Sequence, residues 1–138
     1  MNIKEIYKNE IQGGEFDWFA IDLDGNIALF STAGEGNVPN NVIKNYKDYD
    51  SISHSLEQPN WGSSGIWSDF ANYGFYVFDW SLHGGPYIKV CEPKQRMSKE
   101  LKDKILSINN FNSFDVRFAT LKRLAFKIIN SELIIKKD

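Results

Sequence analysis

Residues 17–39 read DWFAIDLDGNIALFSTAGEGNVP, and this stretch determines much of the fold. Two apolar runs, residues 18–23 and 27–30, flank the dipeptide Asp24-Gly25. Asp-Gly tolerates the positive φ angles of a two-residue hairpin turn, so we predict antiparallel strands over 16–23 and 26–32, with Gly25 at positive φ. Because successive positions in both runs are apolar, we expect both faces to be covered and the hairpin to lie in the interior of a sheet.

The remaining chain alternates helical and extended patterns. Helices are predicted over 2–12, from Pro39 to about residue 56, over 66–73, and after Ser98, which is a plausible N-cap. Strands are predicted over 75–80, 87–91 and 114–118, whereas residues 120–136 fit either a helix or a hairpin. No repeat or linker divides the sequence. We therefore expect one α+β domain over residues 1–138, with a mainly antiparallel sheet and flanking helices.

Charge is distributed unevenly along the 138 residues. Residues 1–93 carry 13 acidic and 5 basic side chains, a net charge of −8, whereas residues 94–138 carry 5 acidic and 11 basic ones, a net charge of +6. Such asymmetry is typical of chains with a charged partner, although a solvated basic helix and scattered acids would produce it too. The first region also holds 16 of the 20 aromatic side chains.

The sequence favours a cytoplasmic protein without a membrane partner. A single cysteine, Cys91, excludes an internal disulfide and fits a reducing compartment. The first twelve residues are charged throughout and lack the apolar core of a signal peptide. No apolar run approaches the length that spans a bilayer.

The sequence Ile21-Asp22-Leu23-Asp24-Gly25 resembles the first motif of haloacid-dehalogenase-type phosphatases. That resemblance implies Asp22 as the nucleophile and Asp24 as the general acid/base. The downstream acidic pair that would hold magnesium in such enzymes has no counterpart here, and a second strand begins immediately after the motif. We therefore favour a hairpin turn over a phosphoryl-transfer enzyme.

Other catalytic and cofactor motifs are also missing. The two histidines, His54 and His83, have no zinc-binding spacing. The loop Gly34-Glu35-Gly36 lacks the lysine of a P-loop, and Glu35 would repel phosphate. The basic segments 94–104 and 122–127 lack interleaved aromatic residues, so nucleic acid is not expected as a partner. We expect no cofactor and no metal, and no enzymatic activity.

Several strand and loop motifs, taken in order, resemble a family of small bacterial proteins. The matching elements are DWFAID at 17–22 with Asp24-Gly25, the spaced pattern from Ala28 to Pro39, GFYVFDW at 74–80, Pro86-Tyr87 and Pro93. They cover roughly residues 15–95, and the last 40 residues carry little of the pattern. The family resembles immunity proteins of contact-dependent or polymorphic toxin systems. This resemblance implies a protein without a catalytic site that binds and neutralises a cognate toxin domain, for which a nuclease is one candidate.

We expect the partner to bind one acidic, aromatic surface formed by loops. Trp61 lies in the Gly/Ser-rich segment 59–65 and is the best candidate for an exposed contact residue, since tryptophan is enriched in interface hot spots. Acidic groups would speed the encounter with a basic partner. The predicted binding residues are Glu35, Trp61, Asp69, Asp79 and His83. A module that binds a small ligand or nucleic acid remains an alternative.

Overall fold

The computed structural model describes residues 2–81, 84–129 and 132–136. The predicted hairpin is present: strand β1 (Asp17–Ile21) pairs antiparallel with β2 (Ile27–Ser31). Gly25 has a φ of +81°, as expected. The turn contains three residues instead of two, because the Asp22 amide donates to the Asn26 carbonyl at 3.0 Å. The Gly25 amide donates to the Asp22 carbonyl at 3.2 Å, so a tight turn ends in a left-handed glycine.

The described residues include six strands, which form one sheet in the order β1-β2-β3-β4-β5-β6. The later strands are β3 (Tyr76–Trp80), β4 (Tyr87–Cys91), β5 (Arg123–Ile129) and β6 (Glu132–Lys136). All neighbours are antiparallel except β2 and β3, which are parallel. The predicted α+β class and the mainly antiparallel sheet are confirmed. Of the two structures considered for residues 120–136, the chain adopts the hairpin.

The hairpin does not lie wholly in the sheet interior, because β1 is the first strand in the order. The last residue of β1, Ile21, is nevertheless covered by residues 112–114. The Ile21 amide donates to the Asn112 carbonyl at 3.0 Å, and the Phe114 amide donates to the Ile21 carbonyl at 2.8 Å. Both faces of β1 are covered as well, since Trp18 and Phe19 are fully buried. The prediction that both faces of the hairpin are covered is therefore confirmed, and the prediction that the whole hairpin lies in the sheet interior is wrong.

Within the part of the chain that the structure describes, five α-helical segments flank the sheet. They are α1 (Ile3–Ile6), which continues as a π-helical turn (Tyr7–Ile11), α2 (Asn40–Lys44), α3 (Tyr46–Ser55), α4 (Ile66–Asn72) and α5 (Lys99–Leu106). The predicted helix after Pro39 divides at Asn45, whose side chain donates to the Asn41 carbonyl at 2.8 Å. Ser98 is the N-cap of α5, since its hydroxyl accepts from the Leu101 amide at 3.2 Å. None of the described helices has the length and apolar character needed to span a bilayer.

Residues 114–118 were predicted as a strand, and this prediction is wrong. Phe114, Val116 and Phe118 are buried in alternation, as the pattern indicated. The backbone groups of this segment bond to the last residue of β1, Ile21, and to the β1–β2 turn, and the only pairing of this part of the chain with β1 among the described residues is an isolated bridge between Ile21 and Ser113. The Val116 carbonyl accepts from the Leu23 amide at 3.0 Å. Alternating burial therefore arose without a strand ladder.

The sheet curls so that its first and fifth strands share an aromatic core. Trp18 on β1 stacks on Phe30 at 4.4 Å between ring centroids and lies 5.6 Å from Phe126 on β5. The Trp18 indole donates to the Tyr87 hydroxyl at 3.2 Å. Phe19 faces the other side of β1, where it packs on Tyr49 of α3 at 5.5 Å. Asp17, two residues before Phe19, shares that second face.

Candidate partner-binding cleft

Strand pairing places two carboxyl groups in one row across the sheet. Asp17 at the start of β1 is opposite Ser31 at the end of β2, and Ser31 is opposite Asp79 on β3. Residues directly opposite each other project on the same face of a sheet. Adjacent strands lie about 4.8 Å apart, so the two aspartates are separated by about 10 Å, with a small serine between them.

This row opens into a cleft of about 590 Å³, which is also lined by the 58–65 loop and the start of α4. Trp61, Trp67 and Phe70 are aromatic residues of its lining, and Trp61 is 68 % exposed. Glu15 contributes a third carboxyl group. Among the described residues that line the cleft, none is a lysine or arginine, and His54 is the one imidazole. The cleft is therefore acidic and partly aromatic.

Asp69 holds the loop that carries Trp61. Its side chain is 4 % exposed and accepts hydrogen bonds from the Asn60 backbone amide at 2.8 Å and from the Asn60 side-chain amide at 2.7 Å. Gly65 lies so close to Asn60 that an added Cβ would be 2.8 Å from the Asn60 Cβ. The expectation that Asp69 belongs to the exposed surface is wrong. Its carboxylate is used inside the protein to fix the loop.

Ionisation of the Asp17 carboxyl group costs free energy in this position. Burial raises its pKa to about 6, although a hydrogen bond from the Ser53 hydroxyl at 3.1 Å lowers it. The charges of Glu15 and Asp50 raise the pKa further, and His54 lowers it. A cation in the cleft would favour the ionised form.

Asp79, at the other end of the row, is half-buried. Burial also raises the pKa of its carboxyl group, while a hydrogen bond from the Trp80 backbone lowers it. The cleft therefore contains two desolvated carboxyl groups on one face.

The other predicted binding residues do not line this cleft. Glu35 is exposed in the loop after β2, and its charge adds to the effect of burial in raising the pKa of Tyr7 in the N-terminal helix. His83 lies outside the described residues. Of the predicted set, the structure brings Trp61 and Asp79 together in the cleft.

Asp22 and Asp24, the residues of the phosphatase-like motif, have structural partners. Asp22 is 4 % exposed and accepts from three backbone amides: those of Asp24 at 2.9 Å, Asn26 at 2.8 Å and Phe118 at 2.8 Å. Asp24 is paired with Arg117. These bonds engage both Asp22 oxygens and tie the side chain to the turn. Within the described part of the chain, no group of three or more His, Cys, Asp or Glu residues could hold a metal ion.

Sequence reasoning did not identify Glu15, Asp17 or Ser31 as site residues. Asp17 was assigned to a strand and to the DWFAID motif but to no site, because its proximity to Asp79 depends on the parallel pairing of β2 with β3. No family model, curated protein or solved structure matches this chain. The interpretation of the cleft therefore rests on its own geometry and chemistry.

Proposed function

We propose that this protein is a non-catalytic immunity protein that binds a cognate bacterial toxin domain in the cytoplasm and neutralises it. The observation that carries the proposal is the cleft in which exposed Trp61 accompanies the row of Asp17 and Asp79. Two features of one surface would thus serve recognition: acidic charge and a large exposed aromatic side chain.

The charge supports a basic partner. Residues 1–93 carry a net charge of −8, and the cleft-lining acids Glu15, Asp17 and Asp79 belong to that region. Nuclease toxins need basic surfaces to hold nucleic acid, and an acidic inhibitor associates rapidly with such a surface. The contribution of charge would appear mainly in the association rate and its salt dependence.

Trp61 would instead control how long the complex lasts. A tryptophan that is 68 % exposed in the free protein offers a large apolar area to a partner. Such residues often account for 2 kcal/mol or more of binding energy, about 30-fold in affinity. The hydrogen bonds from Asn60 to Asp69 hold its loop in place before binding, which reduces the entropy lost on association.

The test uses the product of the open reading frame adjacent to this gene. We expect its toxin domain to arrest growth when expressed alone and to be harmless when co-expressed with this protein. In the purified complex, Trp61→Ala should raise the dissociation rate by about 30-fold. Leu23→Ala is the matched control, since Leu23 is 56 % exposed and does not line the cleft. If no complex forms and growth is not rescued, the proposed function is wrong.

A further inference from the structure

We propose that the cleft binds a single arginine side chain of the protein partner, with its guanidinium between Asp17 and Asp79, over Ser31 and against Trp61. This inference rests on the proposed function, because it names the group through which the toxin domain would be recognised.

The spacing of the carboxyl row favours arginine over lysine. Asp17 lies on β1 and Asp79 on β3, with β2 between them, so their backbones are about 10 Å apart. An ammonium nitrogen that donated to both would need carboxylate oxygens within about 5.6 Å, twice a charged hydrogen-bond length of about 2.8 Å. A guanidinium presents five N–H donors in a planar fork, so it can donate to two acceptors that lie further apart.

The small side chain of Ser31 leaves space for a guanidinium between the two carboxyl groups. Ser31 is half-buried, lines the cleft and lies opposite both Asp17 and Asp79 in the sheet. A large side chain at this position would occupy the gap between the carboxyl groups. The small hydroxymethyl group leaves it open and adds a hydroxyl that can accept a hydrogen bond from a cation.

The aromatic lining fits the same ligand group. Trp61 borders this cleft and is 68 % exposed, so its indole ring is available to a side chain that enters. Arginine stacks on aromatic faces and is more weakly hydrated than lysine, so it loses less on leaving water. A cation in this position would contact aromatic surface and negative charge at once.

Among the described residues, neither carboxyl group of the row is seen in a salt bridge, although the charge of His54 acts on Asp17. The described residues form salt bridges at Lys89–Glu92, Lys99–Asp103 and Arg117–Asp24, and none of these three includes Asp17 or Asp79. The hydroxyl of Ser53 is a neutral donor to Asp17 and does not balance its charge. A positively charged side chain from a partner would complement both carboxylates.

The test is an NMR titration of the full chain with three capped amino acids: N-acetyl-arginine amide, N-acetyl-lysine amide and N-acetyl-citrulline amide. Citrulline has nearly the shape of arginine and no charge. We expect the arginine derivative to shift the indole resonance of Trp61 and the backbone resonances of Ser31 and Asp79. The lysine derivative should bind several-fold more weakly, and the citrulline derivative should produce no saturable shift. Equal binding of all three would overturn the inference.

Two variants distinguish the contribution of charge to binding from the contribution of open space in the cleft. Asp79→Asn should weaken binding of the arginine derivative about tenfold, as expected for loss of one charged hydrogen-bond partner. Ser31→Leu should abolish binding while it leaves every charge in place. Asp115→Asn is the control, because Asp115 is exposed and does not line the cleft. Unchanged binding in Asp79→Asn, or in a folded Ser31→Leu variant, would contradict the inference.

The two proposals fail in different ways. If the toxin domain is bound and neutralised but the arginine derivative does not occupy the cleft, the arginine inference alone is wrong. If the arginine derivative binds as described but no toxin is neutralised, the cleft is a guanidinium site and the immunity function is wrong.

Discussion

Replacement of Asp17 by asparagine should stabilise the folded protein and weaken its binding to the partner. Asp17 is half-buried beside Ser53, and burial is the main reason that its pKa is raised from 3.8 to about 6. Asparagine has nearly the same shape and can still accept the hydrogen bond from the Ser53 hydroxyl. The variant therefore removes the cost of ionising this group and leaves the packing intact.

The size of the effect follows from the raised pKa. A carboxyl group whose pKa rises from 3.8 to about 6 on folding costs the native state about 3 kcal/mol when it is fully ionised. Since water reaches part of this side chain, we expect a smaller gain of about 1–2 kcal/mol for Asp17→Asn at pH 7.5.

The pH dependence distinguishes this cause from a general improvement in packing. Because the folded state has the higher pKa, it binds the proton more tightly, and its stability falls as the pH rises from about 4 to about 6. Above pH 6 the full ionisation cost lowers the stability of the parent protein. Below pH 3.8 the cost is absent, because Asp17 is protonated in both the folded and the unfolded state. The advantage of Asp17→Asn should therefore shrink to about a third at pH 4.5.

Urea unfolding at pH 7.5 and at pH 4.5, followed by tryptophan fluorescence, measures both free energies of unfolding. Asp115→Asn, which changes an exposed carboxyl group, should alter stability by less than about 0.5 kcal/mol at either pH. An Asp17→Asn variant that is less stable than the parent at pH 7.5, or equally stabilised at both values, would refute the reasoning.

Three substitutions test the fold in the same unfolding assay. Gly25→Val should cost about 1 kcal/mol or more, because valine resists a φ of +81°, and an unchanged midpoint would contradict the turn assignment. Asp22→Ala should cost about 3 kcal/mol or more, because three backbone amides lose their acceptor, and a loss below about 1 kcal/mol would show that water replaces it. Phe30→Ala should cost about 3–5 kcal/mol, since the ring is fully buried in the aromatic core, whereas exposed Leu23→Ala should change stability by less than about 0.5 kcal/mol.

The elements that the sequence predicted well are those that local chemistry specifies. The hairpin required an Asp-Gly turn between two apolar runs, and Gly25 has the expected positive φ. Ser98 caps α5 because its hydroxyl reaches an amide three residues ahead. Trp61 was expected to be exposed because its neighbours are glycine, serine and asparagine, and it is.

The features that escaped prediction depend on contacts between distant parts of the chain. Ser31 and Asp79 are neighbours because β2 pairs in parallel with β3, and 44 residues separate the two strands in the sequence. No local pattern encodes that choice. Asp69 was placed on the binding surface because it lies near a loop that joins predicted sheet elements, whereas two donors from Asn60 satisfy its carboxylate inside the protein.

The two aspartates at 17 and 22 show why residue type is a poor guide to function here. The sequence drew attention to Asp22, which resembles a catalytic motif, yet three backbone amides fix it as part of a turn. Asp17 was named only as part of a strand motif, yet it accepts a hydrogen bond from one neutral hydroxyl and lines the cleft. A carboxylate that the fold fully satisfies gains little from a ligand, whereas one that the fold leaves undercompensated gains much. The incomplete solvation of Asp17 therefore makes it the stronger candidate for a binding residue.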